Sequence, residues 1–239
     1  MSSAPCAVTK PMMFAPGTNW GYSHTNYVIL GRVIEKITGL PLLASLQREV
    51  LRPMGLHDTR GSLTPDIPEP VLHAFTSERR ADLRVPAGTP FYEESTFWNP
   101  SWTTAQGAVE TTTVKDLTTA MDAVASGSLL SSASHHAQVA PALVGFGHAD
   151  PSCAVCARNT NARNYGLGVV NLGPWVTQTK NFAGSGATAG ALASKKLAIA
   201  VVTTYAPAAF GPDGSNQNAS EAVFASLIAA VAPGSVPNG

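Results

Sequence analysis

Apolar residues recur along this chain in two rhythms, one helical and one extended. From Thr25 to Thr38 they fall at Val28, Ile29, Val33, Ile34 and Ile37, the three- and four-residue spacing of one helix face, and Gly39 and Pro41 stop the run. Pro41 to Leu51 reads as a second helix with Leu42, Leu46, Val50 and Leu51 inward; Pro53 ends it and Gly55 holds the exit turn. Val114 to Val124 predicts an amphipathic helix, with capping hydroxyls at Thr111 to Thr113 and a stop at Ser126-Gly127. A further helix is expected over Ser131 to Leu143; His135 and His136 are adjacent on it, so they point to different faces and cannot share a metal ion.

The last third changes period. Tyr165 to Val170, Trp175 to Phe182, Gly186 to Leu192 and Leu197 to Thr204 are short, rich in β-formers and separated by Gly, Pro or Lys-Lys turns, which predicts antiparallel strands. Asn216 to Ala232 reads as a closing helix with Val223, Phe224, Leu227, Ile228 and Val231 on one side. Helices first, then a run of strands and one helix, predict an α+β fold rather than a βαβ repeat. Residues 60 to 104 are rich in Pro and polar residues and carry Phe91, Tyr92, Phe97, Trp98 and Trp102. Those aromatics predict an ordered loop, either rimming a cleft for an apolar acyl group or gluing the loop to the core.

Composition narrows the function classes. The chain has 239 residues, 44% hydrophobic and 13% charged, as in a folded protein. Fifteen basic residues balance fifteen acidic ones, so there is no long-range field to gather nucleic acid or an anionic membrane. No apolar run approaches a membrane span, and the N-terminal residues do not form a signal peptide. Cys153 and Cys156 sit in a loop-like Cys-x-x-Cys; a loop-closing disulfide, free thiols and metal or redox chemistry all remain open, and Cys6 has no visible partner. No cofactor is expected.

The candidate chemistry centres on Phe14-Ala-Pro-Gly-Thr-Asn-Trp-Gly-Tyr22-Ser23-His24, a Pro/Gly-shaped turn running into the first helix. It resembles the second motif, Tyr-(Ser/Ala)-Asn, of the penicillin-recognising serine hydrolases: class C β-lactamases, D-alanyl-D-alanine carboxypeptidases and related esterases. Leu51-Arg-Pro-Met-Gly-Leu-His-Asp-Thr59 resembles that family's Pro-Leu-Gly-Met-x-x-Thr turn, and the approach to the Val114 helix resembles its Gly-Gly-Leu-x-Ser-Thr-x-x-Asp-Leu segment. The resemblance implies a β-lactamase/transpeptidase-like fold, incomplete at its N-terminus. Residues 1–13 would be a leader outside the family pattern and 14–239 the C-terminal part of the domain, with a helical lobe over about 24–145 and a sheet plus closing helix over about 163–232.

In such enzymes a Ser-x-x-Lys serine forms an acyl-enzyme, the motif tyrosine relays protons, and a Lys/His-x-Gly on an edge strand binds substrate beside an oxyanion-hole N–H. The resemblance therefore implies catalytic roles for Tyr22, Ser23 and His24, with histidine where asparagine is usual. Phe182-Ala-Gly-Ser-Gly-Ala-Thr-Ala-Gly190 resembles the third motif: Gly184 replaces the cation, Ser185 the hydroxyl residue and Gly186 the turn glycine, while Ala187 offers the backbone donor. Gly-rich packing against a helix is the other reading of that stretch. A strict Ser-x-x-Lys occurs nowhere. Ala7 to Lys10 mimics it without the serine, too close to Tyr22; Thr112 to Lys115 reads as a cap and Thr177 to Lys180 as a strand. Ser185 also lacks the flanking glycines of a nucleophile elbow.

Three functions follow: a serine hydrolase on esters or amides, including cell-wall peptides, truncated or inactive because its nucleophile motif is absent; a non-catalytic binding module that keeps the cleft; or a hydrolase using Ser23 or Ser185. Loss of the missing segment would bare apolar surface, so self-association is expected. Family members commonly act outside the cytoplasm.

Overall fold

The computed structural model describes residues 11–98, 110–139 and 143–237, with Phe182 described by its backbone alone. Ala7 to Lys10, Trp102 and the Ala105 to Gly107 approach lie outside the described residues.

Helix α1, His24–Thr38, begins where the Ser23 hydroxyl accepts a hydrogen bond from Thr25 N at 3.2 Å. It ends at Gly39, whose left-handed φ of 68° lets its N–H reach Glu35 O at 2.9 Å. The predicted stripe forms, yet Ile29, Leu30, Val33 and Ile37 stay exposed and only Gly31 is buried. Helix α2, Leu42–Leu46, follows, and its last turn widens to a π-helical turn over Gln47–Leu51. Leu42, Leu51 and Leu56 are its buried anchors.

Two short antiparallel pairs follow, β1 (Arg60–Gly61) with β4 (Glu110–Thr111) and β2 (Phe75–Thr76) with β3 (Glu93–Glu94). Helix α3, Val114–Ser126, is capped by the Thr113 hydroxyl and closed by left-handed Gly127. Its buried Asp116 carboxylate accepts from Asp58 N at 2.8 Å and from the Thr59 hydroxyl at 2.9 Å, tying the α2 exit turn to this helix. Helix α4 covers Ser132–Val139.

The sheet is a five-stranded antiparallel meander: β5 (Arg163–Tyr165), β6 (Val170–Leu172), β7 (Trp175–Phe182), β8 (Ser185–Leu192) and β9 (Leu197–Thr204). Tyr165 to Val170, expected as one strand, is instead the turn from β5 to β6. Gly168 sits at φ 78°, and Gly166 passes so close to Gln138 O that a Cβ would lie 2.2 Å away. The remaining strands match their expected spans to within one residue at each end, and the closing helix α5 is the shorter Ala219–Val231, capped by Asn218.

Alternation along β8 and β9 divides the core. Ala189, Ala191, Ala198 and Ala200 face α3, and their small side chains admit Met121 and Ala125 closely. Leu192, Leu197, Ile199 and Val201 face α5, where Trp175, Phe224 and Ile228 fill the layer. Trp175 meets Phe224 edge-on at 5.9 Å and donates its indole N–H to Ser235 O. Beyond α3, the same sheet face becomes the floor of a cavity.

A two-residue loop, Ala183-Gly184, joins β7 to β8 with φ of 49° and 77°, the positive pair that matches strand twist. The tip is clamped: Ala183 N donates to Glu78 Oε1 at 2.8 Å, the Ser95 hydroxyl donates to Ala183 O at 2.8 Å, and Gly184 lies against the Phe75 backbone. A Cβ at Gly184 would come within 2.4 Å of Phe75 O, whereas one at Gly17, also at φ 77°, would meet nothing. Gly17→Ala should therefore cost only its backbone strain, about 1 kcal/mol. Gly184→Ala should cost roughly 3 kcal/mol or more, and denaturant unfolding of the two variants measures the difference.

Candidate active site

One cavity of about 1000 Å³ lies between the sheet floor and the helical side. Its floor is Gln178, Lys180, Ser185, Ala187, Val202 and Thr204; Trp20, Tyr22, His24 and Tyr165 form one wall. Glu110, Thr111, Thr112 and Leu117 line it from the β4–α3 side. The aromatic wall is interlocked. The Tyr22 ring contacts His24 edge-on at 5.4 Å, Tyr27 at 5.8 Å and Tyr165 at 6.1 Å, while the Tyr27 and Tyr165 hydroxyls share a 2.5 Å hydrogen bond. Burial pushes the Tyr22 and Tyr165 phenols upward, so both stay protonated at neutral pH.

The segment before Tyr22 is fixed from behind. Asn19 Oδ1 accepts from Trp20 N and His148 N, its Nδ2 donates to His148 O, and Trp20 Nε1 donates to Ala157 O at 2.7 Å. Cys153 and Cys156 form a disulfide, buried directly behind Gly21; a Cβ there would stand 3.3–3.4 Å from the two sulfurs. Among the described residues no group of three His, Cys, Asp or Glu could hold a metal ion.

Of the residues singled out in the sequence, Tyr22, His24, Ser185 and Ala187 line the cavity together. Ser23 is spent as the cap of α1. Gly184 is the hairpin tip, and Gly186 faces the far side, where a Cβ would meet Asn218 Oδ1 and the Tyr205 hydroxyl. Ala187 pairs with Lys180 on one side and Val202 on the other. On a strand flanked by two others, each backbone N–H is directed into a ladder, so Ala187 offers no edge donor.

Lys180, which the sequence places only within a strand, also lines the cavity. Lys180 on β7 stands opposite Ala187, and its ammonium donates to the Ser185 hydroxyl. Desolvation lowers its pKa, partly opposed by the Glu78 charge. β7 is also the strand with an open edge: its pairing with β6 stops at Thr177, leaving Gln178 to Phe182 paired on one side only among the described residues. The signal was available, a lone lysine at the end of a strand that closes on a two-residue turn.

Glu110 was missed altogether. Both carboxyl oxygens are buried without a hydrogen-bond partner among the described residues, and desolvation raises its pKa to about 7. The folded state thus holds a proton that the unfolded chain releases near pH 4.5, so Glu110 weakens stability as pH rises from there through 7. Glu110→Gln should melt like wild type at pH 5 and roughly 2–4 °C higher at pH 8; thermal scans at the two pH values test this.

Comparison with known proteins agrees with this architecture. The Beta-lactamase family model matches residues 7–224. A putative D-alanyl-D-alanine carboxypeptidase of Salmonella paratyphi B is 34% identical over 74 residues, 28% of this chain and 17% of that protein. A D-stereospecific amidohydrolase from Streptomyces superimposes with a TM-score of 0.67 at 25% identity, over 84% of this chain and 54% of its own. A penicillin binding protein from Bacillus halodurans shares the fold, with a TM-score of 0.65 at 16% identity, 94% of this chain and 62% of its own. The chain thus spans between a sixth and two thirds of the length of these relatives. With the motif tyrosine and a strand-borne lysine on one cavity, and a family match over nearly its whole length, the chain belongs to the β-lactamase family of serine hydrolases.

Proposed function

We propose that this chain forms the substrate-holding side of an acyl-transfer cleft that acts on an amide or ester bond next to a D-configured residue. One observation carries the reading: Tyr22 and Lys180 line the same cavity. The Tyr22 phenol, protonated at neutral pH, is suited to hand a proton to a leaving group. Lys180 offers a partly desolvated positive charge to a substrate carboxylate, with the Ser185 hydroxyl beside it. The open edge of β7 can take an extended peptide as an added strand. His24, edge-on to Tyr22, orients that ring. The names of the relatives, a D-alanyl-D-alanine carboxypeptidase and a D-stereospecific amidohydrolase, support D-configured substrates.

The 239 residues contain no Ser-x-x-Lys, so on this reading the isolated chain binds without acylation. A D-alanyl-D-alanine peptide should bind reversibly, as read by tryptophan fluorescence. Lys180→Met should weaken that binding about tenfold, and a fluorescent penicillin should leave no stable adduct. Stoichiometric labelling of one serine would overturn the reading. The Lys180–Ser185 contact favours one second reading, in which Ser185 is itself the nucleophile. Ester hydrolysis lost in Ser185→Ala and kept in Ser23→Ala would establish it.

Self-association belongs to the same proposal. Ile29, Val33 and Ile37 leave a contiguous apolar stripe open on α1. The isolated chain should sediment as an oligomer, and Ile29→Lys with Ile37→Lys should shift it toward monomer; a monomeric wild type would contradict this.

A further inference from the structure

The chain as a whole is electrically balanced, fifteen against fifteen, but its cavity is not. The charged residues lining the cavity are Lys180, Arg158, Arg163 and Glu110. Burial holds much of the Glu110 population neutral near pH 7, so it offsets little of the positive charge. Every acidic residue of the sequence lies among the described residues, and the ion pairs they make involve Arg32, Arg48, His73 and Arg79, never Arg158 or Arg163. Two guanidinium groups thus border the cavity with no Asp or Glu side chain among the described residues ion-paired to them.

They are held on a fixed turn. Asn159 N donates to Phe146 O, Asn159 O accepts from Gly145 N, and Asn159 Oδ1 accepts from Tyr165 N. Thr160 N donates to Arg163 O at 2.8 Å, and Arg163 N donates back to the Thr160 hydroxyl at 3.1 Å. Strand alternation puts Arg163 on the same side of β5 as Tyr165, which forms the wall beside Tyr22.

Sheet register locates these cations relative to Lys180. Arg163 pairs with Leu172, which pairs with Trp175; Tyr165 pairs with Val170, which pairs with Thr177. Lys180 lies five residues beyond Trp175 on β7. The backbones of Arg163 and Lys180 are therefore about 17 Å apart along the strands and about 10 Å across them. Tyr22 packs against Tyr165, two residues from Arg163 on β5.

We propose that Arg158 and Arg163 form an anion subsite at the Tyr165 end of the cleft, selecting a substrate with an acidic group there in addition to the group that Lys180 receives. This rests on the reading of the cavity as the substrate cleft. The ligand class is an elongated acyl peptide with a carboxylate at each end. Guanidinium groups on an anchored turn recognise such a group by charge-assisted hydrogen bonds, and a cleft lined by one sign of charge concentrates ligands of the other.

N-succinyl-D-alanyl-D-alanine carries two carboxylates about 11 Å apart when extended; N-butyryl-D-alanyl-D-alanine lacks the first. Fluorescence titration of the chain, with Trp20 in the cavity wall as reporter, should give roughly tenfold tighter binding of the succinyl probe. The double variant Arg158→Gln with Arg163→Gln should bind both probes equally, with butyryl affinity unchanged. The matching double lysine variant should keep most of the preference. Equal affinities in the wild type, or a preference that survives the glutamine variant, would overturn the subsite while the cleft reading stands. Absence of saturable binding for both probes would overturn the two together.

Discussion

The β7–β8 ladder is the constraint on which the rest of the molecule depends. Seven registered pairs, from Val176↔Ala191 to Phe182↔Ser185, fix which side chains face α3, which face α5 and which reach the cavity. Because the side-chain period is two, a slip of one residue would turn Lys180 and Ser185 to the α5 side and bury their polar groups in the Trp175–Phe224 layer. The two-residue turn pins that register from one end. The alanines opposite α3 and the bulky residues opposite α5 pin it along its length, since neither helix fits the other face.

The cavity then follows from lengths. Helix α3 covers only the part of the sheet where alanine admits it, and the strands run on past its edge. Their continuing cleft-side residues become a floor, and the Trp20–Tyr22 segment, bracketed by Asn19 and the disulfide, becomes a wall. Catalytic chemistry in this family needs groups from distant parts of the chain held within reach of one bond. Here the sheet brings Lys180 and the segment after Gly21 brings Tyr22 to one cavity.

Elements set by local signals were legible in the sequence. The 3.6-residue period, Ser23 and Gly39 define α1, and the Lys-Lys turn separates β8 from β9, because caps and turns act over a few residues. Tyr165 to Val170 misled because its apolar residues suit a strand, while the approach of Gly166 to Gln138 is a contact that a local window cannot contain. Lys180 was hidden for a related reason: in Thr-Gln-Thr-Lys-Asn both faces are polar, so only the register on β8 says which one meets the cavity. Glu110 and the two arginines carry no motif at all. Their importance comes from carboxylates and walls that lie elsewhere in the chain.

The bond between Cys153 and Cys156 closes a very short loop, so it restrains little of the unfolded chain compared with a bridge across a longer segment. Its larger effect is mechanical: two sulfurs act as a wedge against the backbone of Gly21, one residue from the phenol at the heart of the cleft. The outline of that wall is thereby set in part by a sulfur pair more than 130 residues further along the chain.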